Sequence, residues 1–220
     1  MTNEEILSHV DHTLLKAVSS WSEIEKLCAE AIRYKTASVC VPPSYVRRIH
    51  GAYGGLVICT VIGFPLGYSV RAAKLREAEA VLSDGAKEID MVINIGDVKN
   101  GDFDAVRDEI SALKKTAGNN ILKVIVETCY LTTEEKVRLC GIVTEAGADF
   151  IKTSTGFGTA GATLEDVLLF KQHIGPGVKI KAAGGVKTRD DLVKFLSAGC
   201  ERIGTSSAVA LLTGGGAAGY

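Results

Sequence analysis

A single-domain (β/α)8 TIM barrel, an α/β fold, is predicted from three features of the sequence. Short β-branched runs alternate with amphipathic helical patterns almost to the end of the chain. About eight such βα units fill 220 residues, near the lower size for this architecture. No Gly-x-Gly-x-x-Gly turn follows the first strand, which weighs against the main competitor, an open doubly wound sheet.

The elements follow in order. Strands are expected at 10–13, 38–41, 57–62, 88–94, 122–128, 150–155, 179–184 and 202–206. Between them lie WSEIEKLCAEAIRY (21–34), VRAAKLREAEAVLSDGAK (70–87), FDAVRDEISALKKTAG (103–118), TTEEKVRLCGIVTEAGAD (132–149), TLEDVLLFKQHI (163–174) and TRDDLVKFLSAG (188–199). Apolar residues recur in these at three- and four-residue steps, several open on Ser, Thr or Asp, and Gly85, Gly118, Gly147 and Gly199 are expected to stop four of them. One domain over 1–220 is expected, with a flexible tail from about 213, GGGAAGY.

Composition excludes several classes of function. The hydrophobic content of 46% fills a sizeable core, and the formal net charge is −1 with acids and bases interspersed, so neither a nucleic-acid patch nor an acidic tail is present. Apolar runs are far shorter than the roughly 20 residues that span a bilayer, and MTNEEILSHV has no signal-peptide plan. A cytoplasmic protein without membrane or nucleic-acid partners is expected. The six cysteines are not arranged as CxxC and are expected as reduced thiols. The four histidines form neither HxH nor HExxH, and no metal or cofactor is expected.

Strand parity then sorts the residues. Ile89, Met91 and Ile93 oppose Glu88, Asp90, Val92 and Asn94; Ile151 and Thr153 oppose Phe150, Lys152 and Ser154. Ile180 and Ala182 oppose Lys179, Lys181 and Ala183; Leu122, Val124 and Val126 oppose Lys123, Ile125 and Glu127. The uniformly apolar faces must pack on helices, so the mixed faces point into the barrel. That puts Asp90, Lys123, Glu127, Lys152 and Lys181 in one lumen, where unpaired charge is costly. Asp11, Thr13 and Cys40 could line the same space. Lys123 with Glu127 reads most simply as part of a layered ionic core. Asp90, Lys152 and Lys181 are the catalytic candidates, because these barrels react at the C-terminal ends of their strands.

Two lysines beside a carboxylate suit imine chemistry. An unperturbed lysine titrates near 10.4, and a second ammonium about 5 Å away at an effective dielectric near 20 repels by roughly 3 kcal/mol, about two pKa units. The free amine adds to a carbonyl, and the resulting iminium accepts electrons from a breaking carbon–carbon bond. Lys152 is the candidate nucleophile, Lys181 the perturbing cation and Asp90 the proton shuttle. The turns AAGGVKT (182–188) and RIGTSSAVALL (202–212) follow the seventh and eighth strands, where such barrels hold phosphate. Together these features suggest a sugar-phosphate aldolase. The alternative is a phosphate-binding isomerase with Asp90 as base and no imine.

DHTLL (11–15), TVIGFPLG (60–67), EIDMVINIG (88–96), LKVIVET (122–128), FIKTSTGF (150–157), KAAGGV (181–186) and RIGTSS (202–207) resemble, in this order, the blocks of the deoxyribose-phosphate aldolase family of class I aldolases. The resemblance covers nearly the whole chain, and FIKTSTGF is its most specific block. It implies reversible cleavage of 2-deoxy-D-ribose 5-phosphate to D-glyceraldehyde 3-phosphate and acetaldehyde, within deoxyribose phosphate catabolism. It implies Lys152 as the Schiff-base former and Asp90 with Lys181 as proton-transfer groups. It further implies that Asp11 and Thr13 hold substrate and that Gly156, Gly184, Gly185, Gly204, Ser206 and Ser207 cradle phosphate. Some family branches carry lysine where this chain has Phe157, which shifts the phosphate burden to backbone amides and Lys187. Tyr220 matches a terminal tyrosine thought to reach the site in some members, and Cys40 matches a thiol near the pocket, although a small core residue is the simpler reading of it. A homo-oligomer, dimer or tetramer, is expected.

Overall fold

Eight parallel strands pair in sequence order, β1 to β8, and β1 closes on β8. The computed structural model describes residues 1–214; Tyr220 and the rest of 215–220 lie outside the described residues. The strands are β1 (Val10–Thr13), β2 (Ser38–Val41), β3 (Ile58–Ile62), β4 (Glu88–Val92), β5 (Ile121–Ile125), β6 (Phe150–Lys152), β7 (Lys179–Ala183) and β8 (Arg202–Thr205). The helices are α1 (Asn3–Leu7), α2 (Trp21–Tyr34), α3 (Val46–Ala52), α4 (Arg71–Ser83), α5 (Ile95–Asn100), α6 (Phe103–Ala117), α7 (Thr133–Glu145), α8 (Leu164–His173), α9 (Arg189–Ala198) and α10 (Ala208–Thr213). None of them is long and apolar enough to cross a membrane.

Local sequence explains the boundaries. Ser20, Thr132 and Thr188 each accept from the backbone three residues on while an acidic side chain reaches back, the reciprocal cap that starts α2, α7 and α9. Gly118 and Gly199 cap α6 and α9 as expected; α4 and α7 instead close on Asp84 and Ala146, one residue before the expected Gly85 and Gly147. Several strands are shorter than expected. β5 ends at Ile125, because Glu127 takes a left-handed conformation (φ 55°) and turns the chain. Asn94, expected in a strand, caps α5 by accepting from Gly96 N.

Parity has the physical consequence foreseen for it. Ile89, Met91, Leu122, Val124, Ile151 and Ile180 join one apolar layer with the helices. The layer has an ionic exception: Lys74 of α4, wholly buried, bonds Glu109 of α6 at 2.8 Å and Val92 O at 2.9 Å. Burial pushes the Glu109 carboxyl up, with Lys74 opposing it.

Candidate active site

The register of neighbouring strands assembles the lumen. Asp90 lies beside Lys123 across β4 and β5, and Lys152 beside Lys181 across β6 and β7. Asp90 Oδ2 accepts from Lys152 Nζ at 2.8 Å and from Lys181 Nζ at 2.6 Å, while Oδ1 accepts from Lys123 Nζ at 2.9 Å. The two candidate lysines are therefore separated by no more than the sum of two hydrogen bonds. They are not a bare pair, however: a carboxylate oxygen lies between them and offsets the repulsion expected from the sequence. The layer continues below. Lys181 Nζ is 2.6 Å from Asp11 Oδ2, Lys123 Nζ is 2.6 Å from Glu88 Oε2, and the Arg202 guanidinium bonds Asp11 Oδ1 and, at 2.8 Å, Glu88 Oε1.

Burial and charge oppose each other throughout this layer. Burial would push the Asp90 carboxyl up, but Lys123, Lys152 and Lys181 hold it well below the usual carboxylate range. Burial likewise works against the Lys181 ammonium, yet Asp11 and Asp90 raise its pKa above that of an ordinary lysine. Lys181 is thus a fixed cation and Asp90 a fixed anion in the resting protein.

Above the layer, at the C-terminal ends of the strands, opens a cavity of about 420 Å³. Its walls include Thr13, Lys152, Gly156, Gly184, Gly185, Lys187, Gly204, Ser206 and Ser207, all named from the sequence. Gly184 and Gly185 both hold left-handed conformations (φ 78° and 76°). A Cβ on the neighbouring Gly161 would stand 2.4 Å from the Gly184 carbonyl, so this turn depends on bare backbone. Asp90 and Lys181 have no exposure; Lys152, at 3%, is the member of the triad at the cavity wall.

Three residues lie in settings other than those expected. Asp11, expected to help hold substrate, is fully buried and bonded by Ser38, Arg202 and Lys181 in the floor, away from the residues that line the cavity. Glu127 does not join the ionic layer with Lys123; beyond the end of β5 its carboxylate accepts from Thr155 N and Oγ1. Lys179, assigned inward by parity, emerges at the start of β7 with half of its side chain exposed, near Glu201. Phe157 is half-exposed and meets Phe64 edge-on, ring centroids 5.3 Å apart. Cys40 is wholly buried with Leu15, Cys59 and Val61, a small core residue. Sequence reasoning passed over Thr155, Val186 and Thr205 on the cavity wall and Arg202 in the floor, and it gave no role to Glu88, which parity had placed inward. Arg202 shares a strand face with Gly204, so parity applied to β8 would have found it.

A family model described as DeoC/LacD family aldolase matches residues 6–214. A deoxyribose-phosphate aldolase of Clostridium botulinum (strain Eklund 17B / Type B) is 64% identical over 221 residues, covering 100% of both chains. That of Clostridioides difficile (strain 630) is 56% identical over 210 residues, 95% of this chain and 96% of that one. Among solved structures, a tetrameric deoxyribose phosphate aldolase from Aeropyrum pernix has a TM-score of 0.90 at 34% identity, over 96% of this chain and 91% of its own. Orotidine 5'-phosphate decarboxylase from Pyrococcus horikoshii OT3, 15% identical with a TM-score of 0.64, shares only the barrel.

Proposed function

This chain belongs to the DeoC/LacD family of aldolases, and from that premise we propose that it cleaves 2-deoxy-D-ribose 5-phosphate reversibly to D-glyceraldehyde 3-phosphate and acetaldehyde through an imine on Lys152. The observation that carries this reading is a lysine at the cavity wall bonded to the same carboxylate oxygen as a second, fully buried lysine. The full-length relatives bear the aldolase name, which removes the reason to favour the imine-free isomerase.

The chemistry follows from the residues. The Lys152 amine adds to the aldehyde carbon of the open-chain sugar, and loss of water leaves an iminium. The sugar's 3-hydroxyl gives up its proton, the C2–C3 bond breaks, and its electron pair enters the iminium to form an enamine. Glyceraldehyde 3-phosphate departs; protonation of the enamine carbon and hydrolysis release acetaldehyde. Asp90 accepts and returns these protons, directly or through water, and the Lys181 ammonium on the same oxygen holds it ready to do so. Gly156, Gly184, Gly185, Gly204, Ser206 and Ser207 receive the phosphate with Lys187, the side-chain cation on that wall. Thr13 faces the sugar. The reading extends to a cytoplasmic homo-oligomer, which light scattering on the purified protein tests.

Acetaldehyde release from 2-deoxy-D-ribose 5-phosphate, followed by a coupled alcohol dehydrogenase, tests the activity. Lys152→Arg, which keeps charge but cannot form the imine, abolishes it; retained activity in that variant overturns the mechanism.

A further inference from the structure

The ionic floor beneath Lys152 holds more cations than carboxylates. Among the described residues, Lys123, Lys152, Lys181 and Arg202 meet Asp11, Glu88 and Asp90, four positive groups against three negative ones. The remaining strands face this layer with neutral groups: Ser38 donates to Asp11, and Cys59 donates to Asp90 and accepts from Lys123, beside Cys40. Glu127 is turned to Thr155 and forms no ion pair among the described residues.

The shortage is not shared evenly. Lys123 lies within 2.6, 2.9 and 3.6 Å of Glu88, Asp90 and Asp11. Lys181 is 2.6 Å from both Asp11 and Asp90, and Arg202 spans Asp11 and Glu88. Among the described residues Lys152 has one carboxylate partner, Asp90 Oδ2, on an oxygen that Lys181 already occupies.

We propose that Arg202 is a positioning residue for the reaction: its guanidinium takes up Asp11 and Glu88 at the far end of the lumen and so makes Lys152 the surplus cation of the floor. A guanidinium keeps its charge at every working pH, and two or more carboxylates hold each of the other lysines. The cation with the fewest carboxylate partners answers most to a charge added to the layer or taken from it, and that cation is Lys152. Arg202 touches no substrate. It starts β8, at the opposite end of the lumen from the cavity, and acts through Asp11 and Lys181 on one side and Glu88 and Lys123 on the other.

The sign of this effect can be reversed within the same layer. Arg202→Met leaves three cations to three carboxylates, and Lys152 keeps its proton to higher pH. Glu88→Gln leaves four to two, and Lys152 gives up its proton at lower pH. Loss of packing cannot move the two variants in opposite directions.

The inference rests on Lys152 as the imine former, and the test separates the two. Full-length protein is treated with acetaldehyde and cyanoborohydride across a pH series, and the initial rate of adduct formation on the Lys152 peptide is read by mass spectrometry. In Arg202→Met the midpoint of the rate profile rises by about one pH unit, with trapping about tenfold slower at neutral pH and restored in alkali. Arg202→Lys holds the midpoint near that of the unaltered protein, and Glu88→Gln lowers it. A rate reduced at every pH with an unmoved midpoint, or both variants shifting the same way, overturns the role of Arg202 while leaving the imine intact. No Lys152 adduct in the unaltered protein at any pH overturns the imine reading and this inference with it. Should Arg202→Met fail to fold, the direction of the Glu88→Gln shift decides alone.

Discussion

From the floor of the lumen to its C-terminal mouth, the side chains change from ions bonded to one another to hydroxyls and glycine backbone facing the cavity. In the floor, Asp90 alone satisfies three ammonium groups, and of these only Lys152 reaches the cavity wall. At the mouth, Gly184, Gly185, Ser206 and Lys187 stand around an unfilled volume. The comparison separates two roles. In the proposed reaction the floor sets the state of one amine, and deleting a carboxylate there strands buried ammonium groups. In the same proposal the mouth receives an arriving anion, so deletions there weaken binding and leave the fold alone.

That contrast orders the expected effects. Lys152→Ala lowers kcat/KM by at least about 10⁴-fold, because it removes the covalent step itself. Its melting temperature stays close to that of the unaltered protein, since Lys152 has the fewest carboxylate partners in the floor; scanning calorimetry beside the coupled assay checks both. Asp90→Asn acts on both levels. Three ammonium groups lose their shared carboxylate, so denaturant unfolding shows a loss of about 3–5 kcal/mol, and activity falls by about 10² or more.

At the mouth, Lys187→Ala raises KM for the phosphorylated sugar about tenfold, about 1.4 kcal/mol, with kcat little changed. The unphosphorylated sugar is cleaved as before; an equal loss on both sugars shows that Lys187 does not read the phosphate. The smallest effect is that of pH on stability. Asp11 and Asp90 have depressed values in the folded state, so their contribution is complete above the unfolded carboxylate value near 3.9 and is lost as pH falls through the folded values. Lys123 and Lys181 have raised values, so theirs is complete below about 10.4 and is lost as pH rises through the folded values. These four groups therefore add no slope to the urea midpoint between about pH 5 and 9. Inside that window stability falls below about pH 6.5, where burial disfavours protonated His12, and above about pH 8.5, where burial holds Cys28, Cys140 and Cys200 as thiols.

The sequence discloses the floor and the mouth to different depths. Lys152, Lys181 and Asp90 were legible because each stands on the charged face of a strand whose other face is apolar. Lys187 and the Gly184–Gly185 turn were legible because punctuation residues follow the right strands. Glu88 and Arg202 were harder, since a charge at the first residue of a strand reads equally well as solvent-facing; Lys179, in that very position, is exposed. For Asp11, parity shows that it points inward but not how high along the lumen its partners hold it. The turn at Glu127 has no local signature, because the left-handed residue is held by its carboxylate to Thr155, in the loop after β6. The buried Lys74–Glu109 pair joins two helices far apart in sequence, and neither helix pattern alone announces it.

The proposed chemistry turns on one atom, Lys152 Nζ. Reduction with borohydride in the presence of acetaldehyde, followed by peptide mapping, is the direct measurement. The expected result is one reduced two-carbon adduct per chain, confined to the peptide that carries Lys152. An adduct on Lys181 instead, or continued cleavage of the sugar phosphate by protein that traps nothing, contradicts it.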